Sequence, residues 1–339
     1  MSQKSLLMDA IQTQTLFFNH IRVKLPPHLS FVDEVAELLN ISNDSAYRRI
    51  RGEKPLGLNE IQVICNKYHI SLDQLLQIQT NTVIFAGNKV DPVSFGFNRY
   101  LNDIINNLEL FKSLPGAHIY FFNKDVPIFH FMPFPELRAF KFFFWKRTLM
   151  SYPELARQQF NGEGTDEEST ELAKKIINLY SQIPSTEIWN EENVHCTIRQ
   201  IEFYRQSNIF AGKHILIKIY EQLEEMLDHL EQQAEAGKKH LYNHQPLPNS
   251  AAYNIYINEC LIGDNTIFVN SDNRQITTLN HNGLNFASTQ DQSFCEYTFK
   301  NLQNLIRKST YASVVGEKDR NMFFNTLREK IHDRKKNIS

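Results

Sequence analysis

Cysteine is scarce in this 339-residue chain, with four residues at positions 65, 196, 260 and 295. Their wide spacing fits neither a CxxC zinc site nor a disulfide framework, and implies ordinary thiols in a reducing, cytoplasmic compartment. A surplus charge is also lacking, since the formal net charge is -2. No global basic field announces nucleic acid, so any such function has to be local. No apolar run reaches the roughly 18 residues of a membrane span. The richest stretch, Phe140–Trp145, contains Lys141 and is followed by Lys146 and Arg147. Near the N-terminus, Asp9 and Gln12 soon follow Leu6-Leu7-Met8, which argues against a secretory signal. GxSxG, P-loop, HExxH and GxGxxG patterns are all missing, so no catalytic residue and no cofactor is expected. His240 and His244 sit four apart with His229 upstream. On a helix they could share a metal, but Pro246 and Pro248 and the want of a third ligand favour a loop.

What is present divides the chain in two. Residues 1–80 are built from short helical patterns. Residues 81–94 read as a linker, because Asn81, Gly87, Asn88 and Asp91-Pro92 punctuate it. Residues 95–339 read as a larger α+β domain with several long helices. Helices are expected at about 135–150, 166–183, 191–209, 213–235, 291–307 and 317–332, with Arg334-Lys335-Lys336 fraying into solvent. His118–Phe122 and Val126–Met132, rich in β-branched and aromatic residues, read as a hairpin. Asn254–Cys260, Thr266–Asn270, Gln275–Leu279 and Leu284–Ala287 read as an antiparallel meander. Whether the two strand groups share one sheet stays open.

The most informative stretch is Val32–Leu76. Val35, Ala36, Leu38 and Leu39 mark an amphipathic helix. Asn40 tolerates the left-handed backbone of a tight turn, and Ser42 suits the N-cap of the next helix. That helix, Asn43–Arg51, stops at Gly52. Ile41, Ala46 and Ile50 supply apolar contacts to the helix before. Two short helices and a three-residue turn make a helix-turn-helix.

The run Val35-Ala36-Glu37-Leu38-Leu39-Asn40-Ile41-Ser42 resembles the first helix and turn of the lambda-repressor-like (Cro-like, XRE-type) DNA-binding domain. So does the frame Arg51-Gly52-Glu53-Lys54-Pro55, then Leu58, Ile61, Ile64 and Ile70-Ser71-Leu72-Asp73-Gln74-Leu75-Leu76. The likeness covers about a fifth of the chain. Two departures stand out: Asn40 replaces the usual turn glycine, and Arg49-Ile50 stands where an apolar residue is expected one place earlier, which leaves the rotation of the second helix open by one position.

The resemblance implies a transcriptional regulator whose second helix enters the major groove of double-stranded DNA. Ser42, Asn43, Asp44 and Ser45 then lie at its leading end. Asn43 can pair with adenine and Asp44 with cytosine, although Asp44 and Ser45 serve equally as caps. Tyr47 and Arg48 lie one turn later, with Arg48 in reach of guanine or phosphate. Arg49, Arg51 and Lys54 are expected on backbone phosphates, which position without specifying. Between Ile41 and Lys54 four basic and two acidic residues leave a local charge of +2. The resemblance also implies a homodimer on inverted half-sites. The 213–235 helix is either its seam or a core helix of the second domain.

For the second domain three uses compete: sensing a small-molecule effector, mediating assembly, or catalysis. The aromatics crowded between Phe121 and Trp145 are either core or the wall of an apolar ligand pocket. A reading from another class is a ligand- or protein-binding adaptor whose helix-turn-helix no longer binds DNA.

Overall fold

The computed structural model describes residues 10–25, 29–68, 70, 72, 82–87, 96–163, 165–261, 263–281 and 283–338. The chain divides into two compact units, Met1–Ile84 and Phe85–Ser339. Of the resemblance frame, Ser71 and Asp73–Leu76 lie outside the described residues.

In the N-terminal unit the described helices are α1 (Ala10–Lys24), α2 (Phe31–Leu39), α3 (Asn43–Ile50) and α4 (Leu58–Tyr68). Their apolar faces close around Phe17, Phe18, Ile21, Val35, Ala36, Ala46 and Ile64. Ala36 on α2 and Ala46 on α3 are small and buried in this shared cluster.

The C-terminal unit is built on one eight-stranded mixed sheet. Its strands are β1 (Ala86–Gly87), β2 (His118–Phe122), β3 (Ser185–Trp189), β4 (Tyr253–Ile257), β5 (Thr266–Asn270), β6 (Gln275–His281), β7 (Asn285–Thr289) and β8 (Thr310–Tyr311). The spatial order is β1-β7-β6-β5-β2-β3-β4-β8. The helices are α5 (Phe97–Ser113), α6 (Pro135–Phe144), α7 (Glu167–Tyr180), α8 (Glu191–Gln206), α9 (Lys213–Ala236), α10 (Gln292–Arg307) and α11 (Glu317–Lys336). Alternation along the strands sorts the core into two layers. Tyr120, Phe122, Ile188 and Phe268 face α10, where Cys295 and Leu302 meet them. Ile119, Phe121, Tyr253, Ile255 and Val269 face the opposite way, into the larger core shared with α5–α9 and α11.

Several strand expectations change. Both strand groups belong to one sheet, and it is mixed rather than antiparallel. β2, β3 and β4 run parallel, which requires the helical crossovers that separate them in sequence. Val126–Met132 is no hairpin partner for β2. Both sides of β2 are taken by β3 and β5, Pro127 offers no N–H, and Ile128–Phe131 coils into a short 3-10 turn. β4 does not pair with β5 but lies between β3 and β8. Part of the expected linker is itself a strand, since Ala86 and Gly87 pair with Ser288 and Ala287. A Cβ on Gly87 would come within 2.7 Å of the Phe286 carbonyl oxygen, so glycine lets the backbones approach.

The helices follow the periodicity more closely. α9 buries Leu216, Ile219, Leu223, Met226 and Leu230, which makes it a core helix and leaves that stripe unavailable as a dimer seam. α11 continues through Lys336 instead of fraying, with Lys335 on Glu224 at 2.7 Å and Ile338 buried behind it. His240 and His244 follow the end of α9 at Gly237 and lie off the helix. The Phe121–Trp145 aromatics are mostly buried in the core, with Phe143 and Phe144 half-buried. Among the described residues no helix is long and apolar enough to cross a membrane.

Candidate nucleic-acid interface

The site begins with the turn between α2 and α3. Ser30 caps α2 by accepting from the Asp33 amide at 3.5 Å. Asn40 then takes φ 51°, ψ 53°, and Ile41 N–H closes the helix on the Ala36 carbonyl at 2.9 Å. Ser42 Oγ accepts from Ser45 N–H at 3.3 Å and starts α3. Asn43 Nδ2 donates to Asp33 Oδ1 at 2.8 Å, tying the first residue of α3 to the first turn of α2. Gly52, at φ 78°, ends the segment.

The rotation of α3 follows from its buried residues. Ala46 and Arg49 point inward, while Ser45 and Ile50 are half-buried. Asn43, Asp44, Tyr47, Arg48 and Arg51 are exposed. Those positions are spaced as one face of a helix. Lys54 is exposed in the loop that follows, and Ser42 at the helix start.

Arg49 departs from its expected place on a phosphate. Only 6% of it is exposed. Its Nε and Nη2 donate to the two carboxylate oxygens of Glu60 at 3.1 and 2.7 Å, and Nη1 donates to the Ser45 carbonyl at 3.1 Å. All three guanidinium nitrogens are therefore bound within the unit. This is also why an arginine stands where an apolar residue was expected: Glu60 neutralises it and the fork fixes its direction. The Arg49 hydrogen bonds, together with the Gly57 amide, hold the Glu60 carboxyl below its usual range against the opposing effect of burial.

Two residues that the sequence reading passed over shape the site. Gln14 on α1 donates to the carbonyls of Arg49 at 2.6 Å and Lys54 at 2.8 Å, and accepts from Leu56 N–H at 3.0 Å. It adds a second donor to the Arg49 carbonyl, which also accepts from Gly52 N–H at 3.0 Å, and ties down the loop at Lys54 and Leu56. Nothing in its neighbourhood in the chain signals this. Glu60 did carry a signal, because a Glu three residues after Gly57 matches a helix start whose side chain reaches back to the cap amide.

With Arg49 turned in, the outward charges are Arg48, Arg51 and Lys54 against Asp44 and Glu53. Arg51 lies 3.4 Å from Glu53 and 5.2 Å from the Tyr47 ring centroid, so its guanidinium is braced while still exposed. The surface is a shallow, weakly cationic ridge with amide, carboxylate and phenol groups along its crest.

A family model described as the BetR domain, a helix-turn-helix-like regulatory domain family, matches residues 27–90. No curated protein and no solved structure matches the chain.

Proposed function

We propose that this protein is a sequence-specific, DNA-binding transcriptional regulator of the lambda-repressor-like kind, acting as a homodimer on inverted half-sites. The reading rests on the outward face of α3. Asn43, Asp44, Tyr47, Arg48 and Arg51 form one stripe on a helix held from behind by Arg49, Glu60 and Gln14. In this reading the stripe lies along the major groove. Asn43 and Arg48 read base edges, and Arg51 and Lys54 rest on phosphates. Arg49 takes no part in contact; it sets the angle of the helix. The C-terminal unit senses a small molecule or mediates assembly, and carries no enzyme activity. The BetR match and the resemblance of Val35–Ser42 support a regulatory role for the N-terminal unit.

The test is selection of bound sequences from genomic fragments, followed by salt titration on the selected site. Two phosphate-bound cations per copy, Arg51 and Lys54, predict a log–log salt slope of about -4 for a dimer. The outcome that sinks the reading is that no sequence is selected and no salt-dependent binding to any fragment is seen. That result would identify an adaptor that has lost DNA binding.

A further inference from the structure

Asn43 opens α3 with its backbone already fixed. Ser42 caps the helix by accepting from the Ser45 amide at 3.3 Å, and Ala46 anchors the first turn in the core. What stays loose in an asparagine at such an exposed position is the amide, which can turn over and exchange its carbonyl for its NH2. Here it is held. Nδ2 donates to Oδ1 of Asp33 at 2.8 Å, and Asp33 stands in the first turn of α2, whose Val35 and Ala36 are buried in the same core.

The sense of this bond follows from residue type. A carboxylate accepts and does not donate. The branch of the Asn43 amide beside Asp33 is therefore the NH2, and the carbonyl branch is turned away from it. An amide at position 33 would not impose this, because it can accept from Asn43 or donate to it. An acid in the first turn also complements the dipole of α2, but that role does not involve Asn43.

The bases answer the two orientations of an amide differently. In the major groove adenine shows a donor, its N6 amine, beside the N7 acceptor, whereas guanine shows two acceptors, O6 and N7. The held amide offers Oδ1 as acceptor and the second hydrogen of Nδ2 as donor, which match adenine at both points. Against guanine, Oδ1 meets O6, and two acceptors face each other. A free amide escapes this by turning over. We propose that Asp33 is a positioning residue for base selection: by fixing the sense of the Asn43 amide, it makes that position take adenine and refuse guanine. This rests on the major-groove reading above and names what one residue of that surface recognises.

The test is competition binding of the full chain to its selected operator and to operators in which each adenine–thymine pair in turn becomes guanine–cytosine. The parent should prefer adenine over guanine at one position of each half-site by at least about fivefold. Asn43→Ala should erase the preference at that position and so identify it as the base that Asn43 reads. Asp33→Asn keeps the size of the side chain and a hydrogen bond, but not its sense. The ratio at the same position should fall below about twofold, with the preferences elsewhere and the thermal melting unchanged. A tie that only joined α2 to α3 would leave the base profile of Asp33→Asn like that of the parent. Asp33→Ala, which removes the acceptor, should relax the same position. The proposal is overturned if both Asp33 variants keep the parent's ratio, if they relax a different position from Asn43→Ala, or if the parent takes guanine there. An operator whose profile the Asp33 variants do not move defeats this proposal alone. A parent that selects no sequence defeats the regulator reading and this proposal with it.

Discussion

Each unit is organised around a carboxylate, and the two sit at different depths. Glu60 keeps 24% of its side chain exposed and spends both oxygens on one arginine, with a single amide besides. Glu187, at the centre of β3, has no exposure at all. It accepts from His130 at 3.0 Å, from Trp189 Nε1 at 2.7 Å, from Tyr253 at 3.2 Å and from Tyr180. Burial alone would raise its pKa, but the His130 charge and hydrogen bond and the Tyr180 hydroxyl hold it below the usual carboxylate range. In the small unit the arginine is buried while its carboxylate keeps contact with solvent, and the pair aims a helix. The large unit surrounds a charge with donors from four elements and uses it to fasten them to the sheet. Depth thus separates a charge that positions the proposed contact surface from one that holds a core together.

The severest challenge to that contrast is Glu187→Gln. It leaves buried donors facing an amide and should cost the C-terminal unit about 3–5 kcal/mol. Tryptophan fluorescence in urea measures it, because Trp145 and Trp189, the two tryptophans of the chain, both lie in that unit. A loss below about 1 kcal/mol would show that the cluster is not a fastening point.

Next in size is the outward face of α3. Arg48→Ala should cost about 1–3 kcal/mol on the preferred operator and relax base preference. Arg51→Ala should weaken all sequences alike and lower the salt slope by about 2, one phosphate contact being lost from each copy. Operator binding across several salt concentrations reads both.

The two depths also predict different acid limits. In the C-terminal unit His118 is half-buried and His229 buried. Burial lowers their pKa values from 6.5 to about 4 and about 3, with the charges of Lys239 and of His240 and His130 acting the same way. The unfolded chain therefore takes up protons first, and their contribution to stability is lost as pH falls below about 6.5. Glu60 is also depressed, from 4.5, so the pair with Arg49 holds until pH falls below about 4.5. Fluorescence of the tryptophans should thus report weakening at a higher pH than binding of operator DNA by the N-terminal unit does. Coincident losses would erase the distinction.

A smaller effect is expected for the combined change Arg49→Met with Glu60→Leu. Replacing an ion pair by apolar groups of similar volume is often neutral or stabilising. DNA affinity should stay within about threefold, whereas an Arg49 that touched phosphate would lower the salt slope. Smallest is Asn40→Gly, worth no more than about 1 kcal/mol by thermal melting, because glycine enters the left-handed region at no steric cost.

The legible parts were those written in neighbouring residues. Asn40, Ser42 and Gly52 each perform the local task their chemistry suggests. β5, β6 and β7 were readable from alternation and from the turns between them. β3 was missed because Ser185, Thr186 and Glu187 are polar although the strand is buried on both faces, so it shows neither alternation nor a hydrophobic stretch. The false hairpin at 118–132 arose because aromatic composition marks burial but does not say whether a partner strand is free. One residue of the expected contact face was similarly hidden: an arginine on a short helix looks solvated until its acidic partner, eleven residues on, is brought beside it.

The start and stop of α3 and the left-handed turn before it were determined by the sequence alone, since steric limits and capping act over four or five residues. Tertiary structure alone decided that Arg49 faces inward, that Glu187 gathers its donors, and that β2, β3 and β4 run parallel. The physical reason is range. A hydrogen bond or ion pair at 3 Å can join residues tens of positions apart, and the side chain at either end carries no local mark of its partner.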